Sequence, residues 1–498
     1  MNKGKVYLIG AGPGDIGLIT VKGMEKLKEA DVIVYDRLVN DSLLKESKTE
    51  CEMIYVGKKP NHHTLKQGEI NKLLVEKAKE GKTVVRLKGG DPYVFGRGGE
   101  EGEELYKNNI EFEVVPGITS AIGGLCYAGI PITQRNVATS FHVFTGHLSD
   151  DEKEFDFESI VKLNGTLVFL MGMKNLEKIT KGLMKYGKKP DTPVAIINWA
   201  TRNNQKVITE RLNKIYDYAV EKNMSSPSLI VIGDVVDYRE KLSFFEKKPL
   251  HGKNIVVTRS RAQNSSMIEK LRELGANPIE FPTIKIEKLE NTKLINEIKN
   301  IDKYNYIILT SENGVEIFFK ELYKMGYDSR WLKNSKIVSI GKSTTEKLKQ
   351  FGIVADIMPK TYKQEELYGL LKDKVKKGDN ILLPRSAKGR KFIVEKLNQI
   401  SNVCEIHTYT TVVDDSKSDD FIDNFKNVDY ITFTSSSTVE NFFEIVGKEN
   451  KKLLSKAKLI SIGPVTSSTI EELGFKVYSE AKEYTIDGII DSILNDRK

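Results

Sequence analysis

The sequence predicts an α/β protein with several domains, and three observations lead to this prediction. Over the first half of the chain, short apolar strands alternate with segments whose apolar residues recur at helical spacing. Over the second half, strand-and-helix segments occur twice, about 125 residues apart. The length of 498 residues is enough for three or four domains of about 150 residues each.

The elements of the first half follow from this apolar spacing. KVYLIG is the first predicted strand, and DVIVYD at 31–36 is the second. A helix is predicted over 18–30, because its apolar residues recur at helical spacing: Leu18, Val21, Met24 and Leu27. Thr64 and Gln67 form a capping-box pattern before a further helix, after which TVVRLKG returns as a strand.

The second half contains three segments that occur twice: GKNIVVTRS and GDNILLPRS, YIILTSENGVEIFF and YITFTSSSTVENFF, and KIVSIGKSTTEKL and KLISIGPVTSSTI. Two copies of this length indicate two similar α/β domains, since a solenoid needs a shorter period and more copies. Ser343 with Glu346, and Ser468 with Glu471, predict capping boxes. Because helix N-termini carry free N–H groups that attract anions, their recurrence predicts a ligand cleft, although each one alone is also an ordinary cap.

The charged segment YREKLSFFEKKPLHGK at 238–253 separates the halves and predicts a domain boundary. We divide the chain into 1–243, a linker at 244–251, and 252–498.

Composition restricts the class of protein. The net charge is +8, from 77 Lys+Arg and 69 Asp+Glu, which serves solubility or attraction to a polyanion. Cys51, Cys126 and Cys404 are far apart, so a zinc ribbon, an iron–sulfur site and a disulfide framework are not expected. No apolar run approaches about 18 residues, and Asp15 interrupts any signal-peptide core. We therefore expect a cytoplasmic protein with no membrane partner and no metal.

Two glycine-rich loops follow predicted strands. VVRLKGGDPYVFGRGGEE at 84–101 combines conformational freedom with charge, as in loops that bind a ligand. VYLIGAGPGDIG at 6–17 carries Gly-x-Gly-x-Gly, but Asp15 stands where the dinucleotide fingerprint places its third glycine. Pro13 also removes an N–H that a pyrophosphate would need. A nicotinamide dinucleotide is therefore not the predicted ligand.

In this order, and together with YDRL, GKK, VVPGITSAIGGLCYAGIPIT, TLVFLMGM and SPSLIVIGDVV, these loops resemble the uroporphyrinogen III C-methyltransferases of the tetrapyrrole methylase class. The resemblance covers residues 4–240. It implies a two-lobed methylase fold, with lobes at about 1–116 and 117–243, that binds S-adenosylmethionine without a Rossmann fold. It also implies two methylations of uroporphyrinogen III to precorrin-2, on the route to sirohaem or cobalamin, and a homodimer formed through this half.

The same resemblance implies roles for individual residues. Nine positions match contacts to the cofactor: Pro13, Gly89, Gly90, Asp91, Val94, Thr119, Ser120, Met171 and Ala200. Ala200, in NWAT, stands where the family usually has glycine. Asp36 matches the proposed proton acceptor and Lys58 the proton donor, although a strand-end aspartate can also cap the next turn. Arg86 and Arg97 are expected to bind tetrapyrrole carboxylates, with structural ion pairs as the alternative.

The second half resembles the uroporphyrinogen III synthases over residues 251–498, through IVVTRS, ILTSENGV, SIGKST, LLPRSAKGR, HTYTTVV, FTSSSTVENF, SIGPVTS and YTIDGII. The resemblance implies one domain from about 252–285 and 411–498, another from about 286–410, and a cleft that holds a linear tetrapyrrole. The implied reaction closes hydroxymethylbilane to uroporphyrinogen III with loss of water.

Residue roles in this half come from the same resemblance and from the helix starts. Tyr409 matches the family's candidate for assisting the loss of hydroxide, with packing at the hinge as the alternative, and His407 is expected to be structural. Strand ends that lead into helices are expected to bind substrate: Thr310, Ser311, Thr434 and Ser435.

The two resemblances support each other, since the product of one reaction is the substrate of the other. They predict a bifunctional enzyme with tetrapyrrole substrates and no nucleic-acid partner. Two alternatives stay open at this point. One is an rRNA methyltransferase of the same class, which predicts salt-sensitive RNA binding but leaves the second half unexplained. The other is a non-catalytic porphyrin-binding protein, which would not consume S-adenosylmethionine.

Overall fold

The computed structural model describes residues 4–57, 65–146, 155–258, 261–360, 364–414, 427–447, 450, 454 and 456–496. Lys58 and Thr64 lie outside these residues. The chain divides into two compact units, of which the first comprises Met1–Asn254 and Glu269–Asn277 and the second comprises Ile255–Ile268 and Pro278–Lys498. Each unit contains two five-stranded sheets in which helices accompany the strands.

The first sheet is entirely parallel and has the spatial order β3-β2-β4-β1-β5. Its strands are β1 (Lys5–Gly10), β2 (Val32–Tyr35), β3 (Glu52–Tyr55), β4 (Thr83–Lys88) and β5 (Glu111–Val115). Its helices are α1 (Val21–Glu29), α2 (Asp41–Leu44), α3 (Gln67–Lys79) and α4 (Gly98–Lys107), while the next helix, α5 (Ser120–Tyr127), packs its apolar residues on the second sheet. Strands β1 and β2 are apolar almost throughout, as expected when helices cover both faces of a parallel sheet, whereas the middle strand β4 also carries the buried Arg86 and Lys88.

The two predicted helix starts in this sheet are corrected by three residues for α1 and by two for α3. Thr20, whose Oγ1 accepts a hydrogen bond from Gly23 N, precedes the first residue of α1, while Ile16–Leu18 forms a separate 3₁₀ turn. A cap of this kind stabilises a helix by about 1 kcal/mol. For α3, the backbone N–H of Lys66 donates to Glu69 Oε2 at 2.5 Å.

The second sheet is mixed and has the order β6-β7-β10-β8-β9. Its strands are β6 (Phe141–Thr145), β7 (Thr166–Leu170), β8 (Pro193–Asn198), β9 (Lys206–Arg211) and β10 (Ser228–Ile232). The accompanying helices are α6 (Phe157–Val161), α7 (Leu176–Lys185), α8 (Ile215–Glu221) and α9 (Arg239–Leu242), with 3₁₀ turns at Met173–Asn175 and Asp234–Tyr238.

The predicted linker at 244–251 packs onto this unit. Phe245 is 5% exposed and Leu250 is fully buried. The Phe245 ring lies 4.8 Å from the ring of Tyr127 between centroids. Although this segment contains several charged residues, the side chains of Phe245 and Leu250 are buried, so the segment is packed against the fold.

The second unit has one sheet of order β12-β11-β18-β19-β20 and another of order β13-β17-β16-β14-β15. The strands of the first are β11 (Asn254–Val257), β12 (Asn277–Glu280), β18 (Tyr430–Phe433), β19 (Lys458–Ser461) and β20 (Val477–Glu480). Those of the second are β13 (Ile284–Lys288), β14 (Tyr306–Leu309), β15 (Lys336–Ser339), β16 (Asn380–Ser386) and β17 (Asn402–Val413). The β13–β17 pair is antiparallel and joins Ile284 to Val413 and Lys288 to Tyr409. The pairs β11–β18, β14–β15, β14–β16, β16–β17, β18–β19 and β19–β20 are parallel.

The helices of the second half realise the sequence repeat. They are α10 (Arg261–Glu273), α11 (Thr292–Lys299), α12 (Glu312–Lys324), α13 (Lys342–Gln350), α14 (Gln364–Leu371), α15 (Phe392–Asn398), α16 (Ser436–Val446), α17 (Pro464–Glu472) and α18 (Ile486–Asn495), with 3₁₀ turns at Ile301–Lys303 and Ser329–Leu332. The repeated segments form the β14–α12 and β18–α16 units, and the β15–α13 and β19–α17 units. Within the described ranges, no helix has both the length and the apolar character needed to span a bilayer.

Candidate functional site

A cavity of about 420 Å³ lies between the two sheets of the first unit. Its walls come from the loops after β1, β2 and β4, from the start of α5, and from the ends of β7, β8 and β10. Ligands in open parallel sheets bind beyond the carboxyl ends of the strands, where three of these loops begin. The volume is in the range of small-molecule sites.

All nine residues predicted to contact the cofactor line this cavity: Pro13, Gly89, Gly90, Asp91, Val94, Thr119, Ser120, Met171 and Ala200. Ala200 has no positive φ, whereas its neighbours Trp199 and Thr201 do. The turn therefore places its unusual backbone at positions other than 200, which explains how alanine is accommodated where the family usually has glycine.

Glycine is required where the two glycine-rich loops meet. Gly12 and Gly90 exchange backbone hydrogen bonds of 3.2 and 2.8 Å, and Gly90 has φ +72°. A Cβ atom placed on Gly117 would lie 2.2 Å from the carbonyl oxygen of Gly90. Such contact excludes every larger residue, so this arrangement leaves bare backbone as the floor of the cavity.

Asp91 organises the loop that carries it. Its Oδ1 accepts hydrogen bonds from Tyr93 N at 2.8 Å and Val94 N at 3.2 Å. Its Oδ2 accepts from Gly117 N at 2.9 Å, across the cavity floor. A carboxylate has about four acceptor positions, so one position is left for a donor on a ligand.

Strained backbone is concentrated around the cavity. Among the described residues, eight non-glycine residues have positive φ, and three of them are asparagines, which tolerate it. The other five are Phe95, Arg97, Met171, Trp199 and Thr201. Three of these five line the cavity and the other two flank it, a distribution typical of functional sites. Sequence reasoning missed Phe95 and Trp199, because their signal is a backbone angle.

Asp36, the predicted proton acceptor, lies directly after β2 beside the cavity-lining residues Arg37 and Leu38. Its Oδ1 accepts from Leu38 N at 3.0 Å, and its Oδ2 accepts from Arg86 Nη2 at 3.3 Å. The side chain is 28% exposed. Asp36 thus both caps the turn and keeps one partly open carboxylate.

The two arginines predicted to bind tetrapyrrole carboxylates are placed differently. Arg86 is 4% exposed and bonds to Asp36, Glu101 and two backbone carbonyls, a placement that does not favour contact with substrate. Arg97 is exposed, and its guanidinium donates to both carboxylate oxygens of Glu100. Two cations that the sequence prediction missed, Arg37 and Lys174, line the cavity. Neither forms an ion pair among the described residues, so both are available to an anionic ligand.

A third cation missed from the sequence joins the two lobes of the first unit. Arg202 donates from Nη2 to the carbonyl oxygens of Leu38 at 2.8 Å and Val39 at 3.3 Å. Its guanidinium lies 4.9 Å from the centroid of the Trp199 ring. The turn that carries Trp199 is thereby fixed to the loop that follows Asp36.

In the second unit, the structure brings together two of the predicted residues. The hydroxyl of Tyr409 and Ser311 Oγ are 2.8 Å apart, and either can donate. Ser311 is the N-cap of α12, where its Oγ also accepts from Gly314 N. Tyr409 is 6% exposed. Thr310, directly before Ser311, is partly buried.

The equivalent residues of the other repeat occupy the same positions. Ser435 is the N-cap of α16, and Thr434 precedes it after β18. The residue pair at 434–435 lies in the sheet that does not contain Tyr409. His407 lies 3.2 Å from Glu405, and the described residues place no predicted substrate residue beside it.

The predicted capping boxes at Ser343 and Ser468 are wrong. The N-cap of α13 is Gly341 and that of α17 is Gly463, so both serines lie inside their helices. Glycine is itself acceptable at an N-cap, and the Ser-x-x-Glu spacing also occurs within helices. Their hydroxyls therefore do not mark the helix starts.

Comparisons with known proteins match the two halves of the chain to different families. The family model for tetrapyrrole (corrin/porphyrin) methylases matches residues 5–216, and the model for uroporphyrinogen-III synthase HemD matches residues 265–491. The porphyrin biosynthesis protein HemD of Ruminiclostridium josui is 41% identical over 99% of this chain and 98% of its own length.

Other relatives match the first half. The S-adenosyl-L-methionine-dependent uroporphyrinogen III methyltransferase of Methanosarcina barkeri is 51% identical over 48% of this chain and 95% of its own. A solved structure of uroporphyrin-III C-methyl transferase from Thermus thermophilus, complexed with S-adenyl homocysteine, is 39% identical, with a TM-score of 0.41. It covers 47% of this chain and 93% of that one.

Proposed function

Since the chain belongs to the tetrapyrrole methylases in its first half and to the uroporphyrinogen-III synthases in its second half, we infer that it catalyses two consecutive reactions of tetrapyrrole biosynthesis. It is a bifunctional enzyme, with an S-adenosylmethionine-dependent uroporphyrinogen III C-methyltransferase and a uroporphyrinogen III synthase. The single observation that carries this conclusion is the relative that matches both halves along nearly its entire length. An RNA methyltransferase would leave the second half without a role.

The cavity of the first unit suits S-adenosylmethionine. When bound, this cofactor supplies a methyl group activated by a positively charged sulfonium. The backbone of Gly89 and Gly90 offers a surface without side chains, and Asp91 keeps one acceptor position for an ammonium or ribose donor. Met171 and Trp199 supply apolar walls. We assign cofactor binding to the nine lining residues predicted from the sequence.

Asp36 is proposed as the proton acceptor of the methyltransferase. When a carbon of the macrocycle gains a methyl group, the macrocycle must lose a proton at another position of the conjugated system. A positioned carboxylate accelerates that loss. Leu38 N donates to one oxygen of Asp36, and Arg86 Nη2 donates to the other, so the carboxylate is held in place. The role of Lys58 as proton donor stays a prediction, since Lys58 lies outside the described residues.

The carboxylates of the tetrapyrrole need cations. Arg37 and Lys174 line the cavity, and Arg97 lies on the neighbouring loop, where it can exchange Glu100 for a substrate carboxylate. Arg86 is assigned instead to holding Asp36, because it is buried. This assignment differs from the one made from the sequence.

In the synthase, Tyr409 is proposed to assist the loss of hydroxide. As the carbon–oxygen bond of the hydroxymethyl group breaks, the leaving oxygen takes the phenolic proton and departs as water. The proton lost from the pyrrole on ring closure restores the phenol. Ser311, at 2.8 Å, orients the Tyr409 hydroxyl, and the N-caps Ser311 and Ser435 with Thr310 and Thr434 are proposed to bind carboxylates.

The test is anaerobic incubation of the full chain with hydroxymethylbilane and S-adenosylmethionine, followed by separation of the products. We expect precorrin-2 and two equivalents of S-adenosylhomocysteine per macrocycle. Uroporphyrinogen III supplied directly should be methylated without the need for the synthase reaction. If bilane is closed without inversion of the last ring, the synthase assignment is wrong. If supplied uroporphyrinogen III is not methylated, the methyltransferase assignment is wrong.

Three broader predictions accompany this function. We propose a homodimer formed through the methyltransferase half, a cytoplasmic location, and a route that leads to sirohaem or cobalamin. We also keep the division at 243 and 252, with synthase domains at 252–285 plus 411–498 and at 286–410, as a proposal. The two sheets of the second half support two domains there, and strands β13 and β17 cross the proposed bounds between them.

A further inference from the structure

A buried charged cluster lies behind the wall of the methyltransferase cavity. Its centre is Glu101 on α4, which is fully buried. Glu101 Oε1 accepts from Lys88 Nζ at 2.8 Å, from Arg86 Nε at 3.1 Å and from Gln67 Nε2 at 3.1 Å. Of these residues, only Arg86 was predicted from the sequence to bind substrate, and Gln67 was singled out only as part of a capping-box pattern.

The cluster carries two cations and one anion in its buried part. Lys88 and Arg86 are each 4% exposed, so solvent does little to screen their charges. The remaining anion is Asp36, whose Oδ2 is 3.3 Å from Arg86 Nη2 and whose side chain is 28% exposed. With Asp36 ionised, the four charges sum to zero. Asp36 is the most exposed of these four charged residues, and it directly precedes the cavity-lining residues Arg37 and Leu38.

We propose that Glu101 and Lys88 are positioning residues of the methyl-transfer reaction, which fix the orientation of the Asp36 carboxylate through Arg86. Arg86 cannot turn toward a substrate, because Nε is held by Glu101 and Nη1 donates to the carbonyl oxygens of Val34 and Leu87. Its remaining nitrogen, Nη2, is thereby aimed at Asp36.

The physical basis is charge balance in a desolvated place. Burial lowers the pKa of the Lys88 ammonium, and the nearby Arg86 guanidinium lowers it further. One buried carboxylate opposes two cations, and Glu101 Oε2 has no hydrogen-bond partner among the described residues. The excess positive charge attracts a second carboxylate, and Asp36 lies 3.3 Å from Arg86 Nη2.

Other groups near Asp36 leave this balance unchanged. On its own loop, Leu38 contributes a backbone N–H, and Arg37 is exposed on the cavity side. On the neighbouring strands β2 and β3, Tyr35 and Tyr55 stack edge to face, and burial raises the pKa of Tyr35, so it stays neutral. Residues 58–64, which follow β3, lie outside the described residues.

This inference rests on the proposed role of Asp36, and the experiment separates the two. The pH dependence of kcat/KM for methylation of supplied uroporphyrinogen III is measured on the full chain for Lys88→Gln and for Lys88→Gln combined with Glu101→Gln. Lys88→Gln keeps a donor to Glu101 but removes a positive charge. We expect the acidic limb of the profile to move to higher pH by about half to one unit. Adding Glu101→Gln removes the opposing charge and should move the limb back to the wild-type position or below it.

The controls isolate electrostatics from damage to the fold. Glu103→Gln makes the same charge change as Glu101→Gln at an exposed position of the same helix, and should leave the limb in place. Lys88→Met replaces Lys88→Gln if the latter does not fold, since it removes the same charge. The double variant keeps the net charge of the cluster, which favours its folding.

Each outcome decides the matter. Opposite movements of the limb in the single and double variants support the inference. A limb that stays in place in both variants, or that moves further upward in the double variant, overturns it. Asp36→Asn is run beside them. If that variant methylates at the wild-type rate, the proposed role of Asp36 is wrong, and so is the inference that Glu101 and Lys88 act through it.

Discussion

Replacing Asp91 by alanine tests how the cofactor cavity is built. The side chain holds two backbone N–H groups of its own loop and one of the segment before α5, through Gly117. Alanine leaves all three donors without this acceptor. We therefore expect weaker binding of S-adenosylmethionine even if Asp91 makes no direct contact with it. The reason is that the loop after β4 would lose its hydrogen bond to Gly117, on the opposite side of the cavity floor.

The magnitude follows from where each hydrogen bond lies. The bonds from Tyr93 N and Val94 N are exposed, so water can replace the carboxylate with little loss. The bond from Gly117 N is partly buried. A hydrogen bond to a charged group contributes about 1.5–3 kcal/mol, so we expect affinity to fall by about 1–3 kcal/mol. That range corresponds to a 5- to 150-fold increase in Kd.

The assay is isothermal titration of the full chain with S-adenosylmethionine, after thermal unfolding has shown that the variant is folded. Asp91→Asn should not restore affinity, because an amide that accepts from Tyr93 and Val94 presents its NH2 group to Gly117 N. Asp156→Ala is the matched control, since Asp156 caps α6 through Ser159 N, away from the cavity. Unchanged Kd in folded Asp91→Ala, or full recovery in Asp91→Asn, would refute this reasoning.

Three other substitutions address the remaining groups. Asp36→Asn should reduce methylation turnover by about 100-fold or more, with cofactor affinity unchanged by titration, since a general base contributes about that much; wild-type turnover would return Asp36 to a capping role. Tyr409→Phe should slow closure of hydroxymethylbilane by about tenfold or more and leave methylation of supplied uroporphyrinogen III untouched, whereas equal slowing of both would indicate damage to the fold. Burial acts to raise the pKa of Asp496, but hydrogen bonds from Lys458, Tyr430 and Tyr478 outweigh it and lower that pKa to about 2. Because an unfolded carboxyl titrates near 3.9, the stability from Asp496 is present above about pH 4 and is lost as the pH falls toward 2. Asp496→Asn should therefore lower the urea midpoint of the second unit at pH 7 more than at pH 3, and an equal loss at both values would contradict this.

The sequence predicted the parts of this protein that are encoded locally. Strands such as Lys5–Gly10 and Thr83–Lys88 are short runs, rich in apolar residues and next to glycine, a pattern typical of buried strands. The nine cofactor positions came from the resemblance to the methyltransferases, and the fold brings all nine to one cavity. Helix starts were less predictable, since Gly341 and Gly463 serve as N-caps without any side-chain signal.

The convergence of distant side chains could not be predicted. Arg86 and Lys88 lie on strand β4 and Glu101 lies on helix α4. A single sequence does not determine which face of α4 is turned toward β4. Arg86 was therefore interpreted as a ligand for substrate, whereas its burial assigns it to Asp36. The same limit applies to Tyr409 and Ser311, whose contact joins positions 98 residues apart.

The backbone around the methyltransferase cavity is strained at several residues. A non-glycine residue held at positive φ costs about 1–3 kcal/mol, and five such residues other than asparagine lie in or beside the cavity. The unit tolerates that strain because the turns are anchored on both sides: Arg202 ties the Trp199 turn to Leu38, and Asp91 ties its loop to Gly117. These costs are met when the chain folds, before any ligand arrives. Binding then requires little ordering of loops, and more of the contact energy is available to hold the methyl donor in line with the macrocycle.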